Sequence, residues 1–455
     1  MKKQLDKNNF KLDIPPDKNL PGLPAMFDAG MIQKLLTEHF KKIGASISSC
    51  EVSYIRYKPR TNCIVVYWIK FDGKLAFGVR ELPVYVKLYT KEDFSAAEEK
   101  NRIHRWADFC GIGTYKLLAE HNAILYLFPN DPVIDGLRII ENPKKIQRIL
   151  YQHYEKYSER EWRISDRQFR FRIMRYKPER RAVIRFNSKA AKDAIGYKEK
   201  FSVFARIYAD DSGQKVFDIH KSLYQFSLKD ERFNIPEPIV YLPDRRILLM
   251  ERLAGKTLVD RIKGNEIETL TSTAGAIASL HGLKLDNLPI LPLTALIESA
   301  EASYEMISEI APDLSKTAGL IHDNLFNSIE RYSGHIAGFV HGDFYPGQVI
   351  IKGRRVGIID FDRCYLGDPA ADLGNFIAHI RLLRLKGKIN NDDLIENVFL
   401  SAYEKSIGKK LDENRIKFWT VFGLYQLAVN PFRGLEPGWR VKTAQILRQC
   451  QSLLS

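Results

Sequence analysis

Phe339-Val340-His341-Gly342-Asp343-Phe344-Tyr345-Pro346-Gly347-Gln348-Val349-Ile350-Ile351, followed shortly by Gly357-Ile358-Ile359-Asp360-Phe361-Asp362, decides how this chain reads. A β-branched run leads into an Asp, the next apolar run ends in a second Asp, and the spacing fits a short hairpin. Between the carboxylates stands one amide, Gln348. Phosphoryl transfer needs this inventory. One carboxylate orients a hydroxyl nucleophile, while a second carboxylate and an amide oxygen hold Mg²⁺ against nucleotide phosphates. A lone Asp here would be explained as a turn residue or strand-end cap. The string as a whole would not.

His341-Gly342-Asp343 with Gln348, then Ile359-Asp360-Phe361-Asp362, then Gly367-Asp368-Pro369-Ala370-Ala371-Asp372-Leu373, resembles the signature of the aminoglycoside phosphotransferase family, which is protein-kinase-like. Some features are maltokinase-like. The resemblance covers about residues 145 to 455, with its specific motifs within 339–376. It implies an α+β, protein-kinase-like bilobal fold with an antiparallel-sheet small lobe and a mostly α large lobe. It implies a small-molecule kinase that moves the γ-phosphoryl of ATP or GTP to a hydroxyl of a sugar, aminoglycoside or amino alcohol. Asp343 would be the catalytic base, and Asp360 with Gln348 the Mg ligands. The family usually has Asn at the position of Gln348. Gln keeps the amide oxygen one methylene farther out, as maltokinase-like members also do. Asp372 would brace the catalytic loop from behind. Asp368, before Pro369, reads as a turn residue. His341 reads as structural, since phosphoryl transfer asks little of an imidazole. His281, His379 and Cys364 carry no functional signal.

The 455 residues are enough for two or three domains, and 45% hydrophobic content supports real cores. No stretch is long and apolar enough for a membrane helix, and the N-terminus lacks the apolar segment of a signal peptide. Five scattered cysteines without a CxxC argue against a disulfide framework or zinc site and for a reducing, cytoplasmic setting. The net charge of +15, from 70 Lys+Arg against 55 Asp+Glu, comes with no aromatic-rich binding motif. It reads as a basic solvated surface, and a nucleic-acid partner is not favoured.

The chain also repeats itself. Ile32 to Phe40 matches Ile146 to Tyr154, both amphipathic helices, at an offset of 114 residues. Arg56-Tyr57-Lys58-Pro59 matches Arg175-Tyr176-Lys177-Pro178, and Val84 to Tyr89 matches Val203 to Tyr208, both at an offset of 119. Each copy reads as helix, strand, tight turn, strand, loop, strand, helix: a small lobe present twice beside one catalytic lobe. The expected organisation is an N-terminal tail at 1–29, an extra small-lobe-like repeat at 30–140, the kinase-like small lobe at 141–252 and the helical large lobe at 253–455. The extra repeat would cap the acceptor site or form an interface.

Arg206 stands where a kinase-like small lobe keeps its phosphate-holding Lys, and copy one has Lys87 there. The following helices offer Asp218 and Glu99 at matching positions. The expected pairs are therefore Arg206 with Asp218 and Lys87 with Glu99. Lys177, Arg180 and Arg181 lie in the turn where a Gly-rich loop would be. That turn has no glycine, so cationic side chains would have to meet phosphates instead. Ile247 to Leu253 resembles the hinge, which places Met250 and Arg252 by the nucleotide base. The glycine-free turn and the Arg at the phosphate clamp keep one alternative open, a catalytically inactive kinase-like binding or scaffold protein.

Overall fold

Two tight turns organise the first half of the chain, and both are built on a left-handed residue that is not glycine. Arg60 has φ +62° and Glu179 has φ +59°, each two residues after the Lys of a Tyr-Lys-Pro. The computed structural model describes residues 14–455 except 76–77, 105, 107, 158–160, 166, 193–194, 264–265, 267, 286–287 and 334–337. The first 13 residues of the expected tail lie outside the described residues. The chain forms two compact units. One comprises 1–217, 238–252 and 433–437; the other comprises 218–237, 253–432 and 438–455.

The first unit carries two antiparallel sheets. The first comprises β1 (Ile47–Lys58), β2 (Asn62–Phe71), β3 (Glu81–Tyr89), β4 (Tyr115–Leu118) and β5 (Ala123–Leu127), in the order β1-β2-β3-β5-β4. The second comprises β6 (Arg163–Ile164), β7 (Arg170–Lys177), β8 (Arg181–Lys192), β9 (Tyr197–Tyr208), β10 (Pro238–Leu242) and β11 (Ile247–Glu251). Its order is β10-β11-β9-β8, with β7 and β6 both paired to β8. Leaving out β6, the two sheets have the same order. The β-branched and aromatic runs of β2 and β3 are buried on both faces, as central strands of a covered sheet should be. Helix Ala29–Lys41 is capped by Asp28, which accepts from the N–H groups of Gly30 and Met31, and it buries Ile32, Leu36 and Phe40 along one stripe. Its counterpart Pro143–His153 is capped by Asn142 and buries Ile146, Ile149 and Leu150.

The duplication runs wider than the three matched blocks. Asp17 accepts from the Tyr57 hydroxyl and from Arg60 N, each at 2.8 Å. In the second repeat, whose ties reach upstream of the expected start at 141, Asp131 accepts from the Tyr176 hydroxyl at 2.9 Å and from Glu179 N at 2.8 Å. Asp17 and Asp131 stand 114 apart, the offset of the helices. Gly22 and Gly136 share that offset. A Cβ on Gly22 would collide with the carbonyl of His121, and one on Gly136 with the carbonyl of Arg245. His121 and Arg245 themselves end equivalent one-turn 3₁₀ helices between β4 and β5 and between β10 and β11. Each repeat is thus tied shut by an Asp that precedes its first helix.

One expected ion pair is different in the structure. Lys87 Nζ meets Glu179, at 2.8 Å from Oε1 and 3.0 Å from Oε2, and not Glu99, which is exposed on helix Lys91–Ile103. A carboxylate already half buried beside the ammonium competes better than one held in solvent, where pairing is worth little.

The second unit is mainly helical, with helices Glu268–His281, Leu293–Ile310, Ser315–Ser333, Ala370–Leu385, Asp392–Ile407, Glu413–Leu427 and Trp439–Leu454. Asp412 caps Glu413–Leu427 by accepting from Asn414 N and Arg415 N. Gly374 lets that helix approach Ala370–Leu385 closely, because a Cβ there would collide with Trp419. Phe376 stacks on Phe399 at 4.0 Å between ring centroids and on Phe344 at 5.6 Å. Aromatic pairs add about 1 kcal/mol each beyond their buried area, and these hold the segment beside Asp343. Among the described residues, no helix is long and apolar enough to cross a membrane. Cys50, Cys63, Cys364 and Cys450 are buried free thiols.

Candidate active site

Asp343 follows strand Gly338–Val340, which pairs antiparallel with Tyr365–Gly367. Gln348 leads into the hairpin Val349–Lys352 and Arg355–Ile358, and Asp360 follows it. Two unusual backbone conformations aim these side chains. Gly342 has φ +77°, and a Cβ there would also collide with the Arg363 carbonyl, so no other residue fits. Asp360 has φ +77° as well. Left-handed Asp is uncommon, and such strain persists only where the surroundings impose it, typically at functional sites.

The three predicted residues converge. Gln348 Nε2 donates to Asp360 Oδ2 at 2.9 Å and, more weakly, lies 3.4 Å from Asp343 Oδ2. Gln348 and Asp360 are buried, and Asp343 is half-buried. Two carboxylates thus face one polarised N–H group, an environment that favours positive charge. Among the described residues, no cluster of three or more His, Cys, Asp or Glu has a metal-binding arrangement. The set here is of a different kind, carboxylate plus amide.

His341 ties both ends of this loop together. Its Nδ1 accepts from Asp343 N at 3.3 Å, which leaves Nε2–H to donate to the Ile359 carbonyl at 3.0 Å. Ile359 N in turn donates to the Gln348 carbonyl at 3.0 Å. Behind the loop, Asp372 is 1% exposed and accepts from His341 N at 2.6 Å and Gly342 N at 2.9 Å. His281 Nε2–H donates to the same carboxylate at 3.0 Å, and its Nδ1 takes the Tyr403 hydroxyl at 2.7 Å. His281, featureless in the sequence, is therefore part of the brace. Asp368 is more than a turn residue. It accepts from Ala370 N at 2.9 Å, from Arg415 Nε at 2.5 Å and from Trp419 Nε1 at 3.0 Å, fastening the start of one helix to the middle of another.

A cavity of about 370 Å³ opens beside Gly342. Its lining includes Ser299, Asn375, Trp419, Phe422, Gln426 and the exposed Arg363. Asp372 is the one carboxylate among the lining residues, and its oxygens already hold two backbone N–H groups and His281. Gln426 Nε2 donates to Ser299 Oγ at 2.8 Å. Ser299 comes from helix Leu293–Ile310, an element the sequence reading did not anticipate.

Of the remaining predicted residues, Arg206, Lys177, Met250 and Arg252 belong to the first unit. Arg206 is buried on β9, opposite Val183 of β8 and Leu248 of β11. Lys177 ends β7 and is half-buried. Met250 is buried in an apolar cluster with Tyr208, Val216, Tyr241 and Leu248, and Arg252 is exposed just beyond β11. Asp218 belongs to helix Ser212–Ser227 and falls in the second unit, whereas Arg206 falls in the first.

His379 stacks on Tyr345 at 4.2 Å and 17°. Burial, and secondarily Lys386, push its imidazole down from the ordinary 6.5 to about 4. A depressed pKa favours the neutral ring in the folded state. That stabilisation is fully present above pH 6.5 and is lost as pH falls from 6.5 towards 4. Replacing His379 with Phe keeps the stack and removes the titration, so denaturation midpoints of the variant should fall less than wild type across this window. Parallel losses in both proteins would refute the assignment.

Residues 160–387 match the phosphotransferase enzyme family, APH. The chain belongs to that family. As a family member it is a small-molecule kinase by class, and its α+β fold of antiparallel sheets and a helical C-terminal part is the kinase-like one the motifs implied. Among solved structures it is similar to choline kinase from Cryptosporidium parvum, with 12% identity and a TM-score of 0.48 over 69% of this chain and 95% of that one. It is also similar to an aminoglycoside phosphotransferase from Streptomyces rimosus, with 19% identity and a TM-score of 0.41 over 56% and 92%. A macrolide 2′-phosphotransferase from Brachybacterium faecium gives 13% identity and a TM-score of 0.41 over 68% and 98%. No curated protein matches the chain.

Proposed function

We propose that this phosphotransferase moves the γ-phosphoryl of ATP or GTP to a hydroxyl of a neutral or acidic sugar-like molecule. The observation that carries this is the convergence of Asp343 and Asp360 on Gln348, beside a cavity whose lone carboxylate is already engaged. Asp343 orients the acceptor hydroxyl and takes its proton. Asp360 and the side-chain amide of Gln348, turned so that its oxygen replaces Nε2 on the carboxylate side, would hold Mg²⁺, a hard cation suited to oxygen donors that leaves positions for phosphates. When bound, that ion neutralises charge building on the transferred group. Arg206, with Asp218 as its expected partner, would steady the nucleotide phosphates, Lys177 would meet them from its turn, and the backbone at Met250 and Arg252 would meet the base. Most of the rate then comes from positioning and charge neutralisation.

The cavity argues for the acceptor class. A polycationic aminoglycoside needs carboxylates to replace water around its ammonium groups. Arg363 and the engaged Asp372 offer none. Amides, a serine and aromatic faces suit hydroxyls and sugar rings instead. The test is ADP release by the purified protein with Mg-ATP and a panel of neutral sugars, sugar acids, amino alcohols and aminoglycosides. Turnover is expected with members of the first two groups and should vanish when Mg²⁺ is chelated. An aminoglycoside as the best acceptor would overturn the substrate class, and turnover surviving Asp343→Asn would overturn the mechanism.

A further inference from the structure

The N-terminal repeat offers a clue to its own purpose in what its phosphate-clamp position now holds. Lys87 on β3 lies opposite Ile64 and Ile124; Arg206 on β9 lies opposite Val183 and Leu248. The two cations occupy equivalent central positions in the two sheets. Lys87 already has an anion, the Glu179 carboxylate, which also takes Arg56 Nη2 at 3.0 Å. Arg56 Nη1 donates to the Pro178 carbonyl at 3.0 Å. The side chains of Arg56, Lys87 and Glu179 are 13%, 18% and 12% exposed, so the cluster is well withdrawn from water.

Pro178 and Glu179 form the tight turn of the second repeat, between β7 and β8, where a Gly-rich phosphate loop would stand. That turn is held from two sides. Within its own repeat, Asp131 fixes Glu179 N and the Tyr176 hydroxyl. Burial and the neighbouring carboxylate keep that hydroxyl protonated, so it donates. From the first repeat, Arg56 and Lys87 grip the Glu179 side chain. Tyr85 and Phe128 pack edge-on against the Tyr176 ring at 6.1 and 5.6 Å.

We propose that the first repeat has turned its phosphate clamp into a grip on Glu179, and that this grip positions the 177–181 turn of the second repeat for nucleotide. A glycine-free turn cannot wrap phosphates by bending its own backbone. Holding it from outside presents Lys177, Arg180 and Arg181 in one arrangement and lowers the ordering needed when nucleotide binds. Glu179 fills the anion position of the first repeat, so that repeat binds no nucleotide of its own. The extra repeat therefore acts on nucleotide affinity, rather than on the acceptor affinity that a cap would control. The proposal rests on the kinase reading above.

The test compares wild type with Glu179→Gln, which keeps shape and one acceptor oxygen, and with Lys87→Met and Lys87→Arg. Mg-ATP binding is measured by calorimetry, and KM for each substrate by ADP release. The expected result is a rise of about fivefold or more in KM for Mg-ATP in Glu179→Gln and Lys87→Met, the range usual for coupled sites. The KM for the acceptor stays unchanged, and Lys87→Arg stays near wild type. If Lys87→Met fails to fold, the milder Glu179→Gln decides alone. Wild-type binding of Mg-ATP with no change in KM in the variants overturns the proposal and leaves the kinase reading standing. Failure of wild type to bind Mg-ATP overturns both.

Discussion

Asp343→Asn should lower kcat about a thousandfold, within the range that a positioned general base supplies. The side chain is half-buried and lies 3.4 Å from Gln348 Nε2, and an amide is isosteric with the carboxylate, so the substitution keeps the shape of the side chain. Folding stability and calorimetric Mg-ATP affinity should stay near wild type. An amide in this place can neither accept the acceptor's proton nor orient its hydroxyl lone pair towards phosphorus. The loss should therefore fall on kcat and kcat/KM alike, the pattern of an interaction made in the transition state. Turnover within tenfold of wild type would mean that another group activates the hydroxyl. Equal losses in Mg-ATP affinity would mean that Asp343 holds the nucleotide and not the acceptor.

The loop proposed to carry this chemistry was legible because its constraints are local. Gly342 must be glycine, Asp343 and Gln348 are five residues apart, and Asp360 follows a short antiparallel hairpin. Helix Glu413–Leu427 was legible for a similar reason: Asp412 stands at its N-cap, and a long apolar-rich run follows. The brace was only half legible. Asp372 lies in the motif, but His281 reaches it across 91 residues of chain and Arg415 reaches Asp368 across 47, distances at which nothing in the sequence ties one residue to the other. Helices Leu293–Ile310 and Ser315–Ser333 went unanticipated because they carry no motif, although their apolar periodicity was there to be read. The Lys87 pairing went wrong for a definite reason. Register within one repeat predicts Glu99, but a repeat that stacks on its own copy can find a partner in the other copy. A self-comparison extended upstream of Ile32 would have found Asp17 against Asp131 and Gly22 against Gly136, and with them the device that ties each turn.

Asp372→Ala should cost about 4 kcal/mol of stability, a large share of the 5–15 kcal/mol typical of folded domains. Three donors lose their acceptor at once: His341 N, Gly342 N and His281 Nε2. All three face a position that is 1% exposed, so water cannot readily take over. Each unsatisfied buried donor costs about 1–3 kcal/mol, and the three share one site, so the losses do not add in full. Asp372→Asn should cost about half as much, because one oxygen survives while the new NH₂ opposes a donor it cannot pair with. Chemical denaturation followed by tryptophan fluorescence measures both values, since Trp419 lies in the same helical unit. Activity should fall further than stability explains, even in the fraction that remains folded. Gly342 is held in its left-handed conformation partly by the bond from its N–H to Asp372, and Asp343 takes its direction from Gly342. A variant that unfolds at the wild-type denaturant concentration would show that the loop keeps its shape through Gly342 and the hairpin alone, with the carboxylate behind it dispensable.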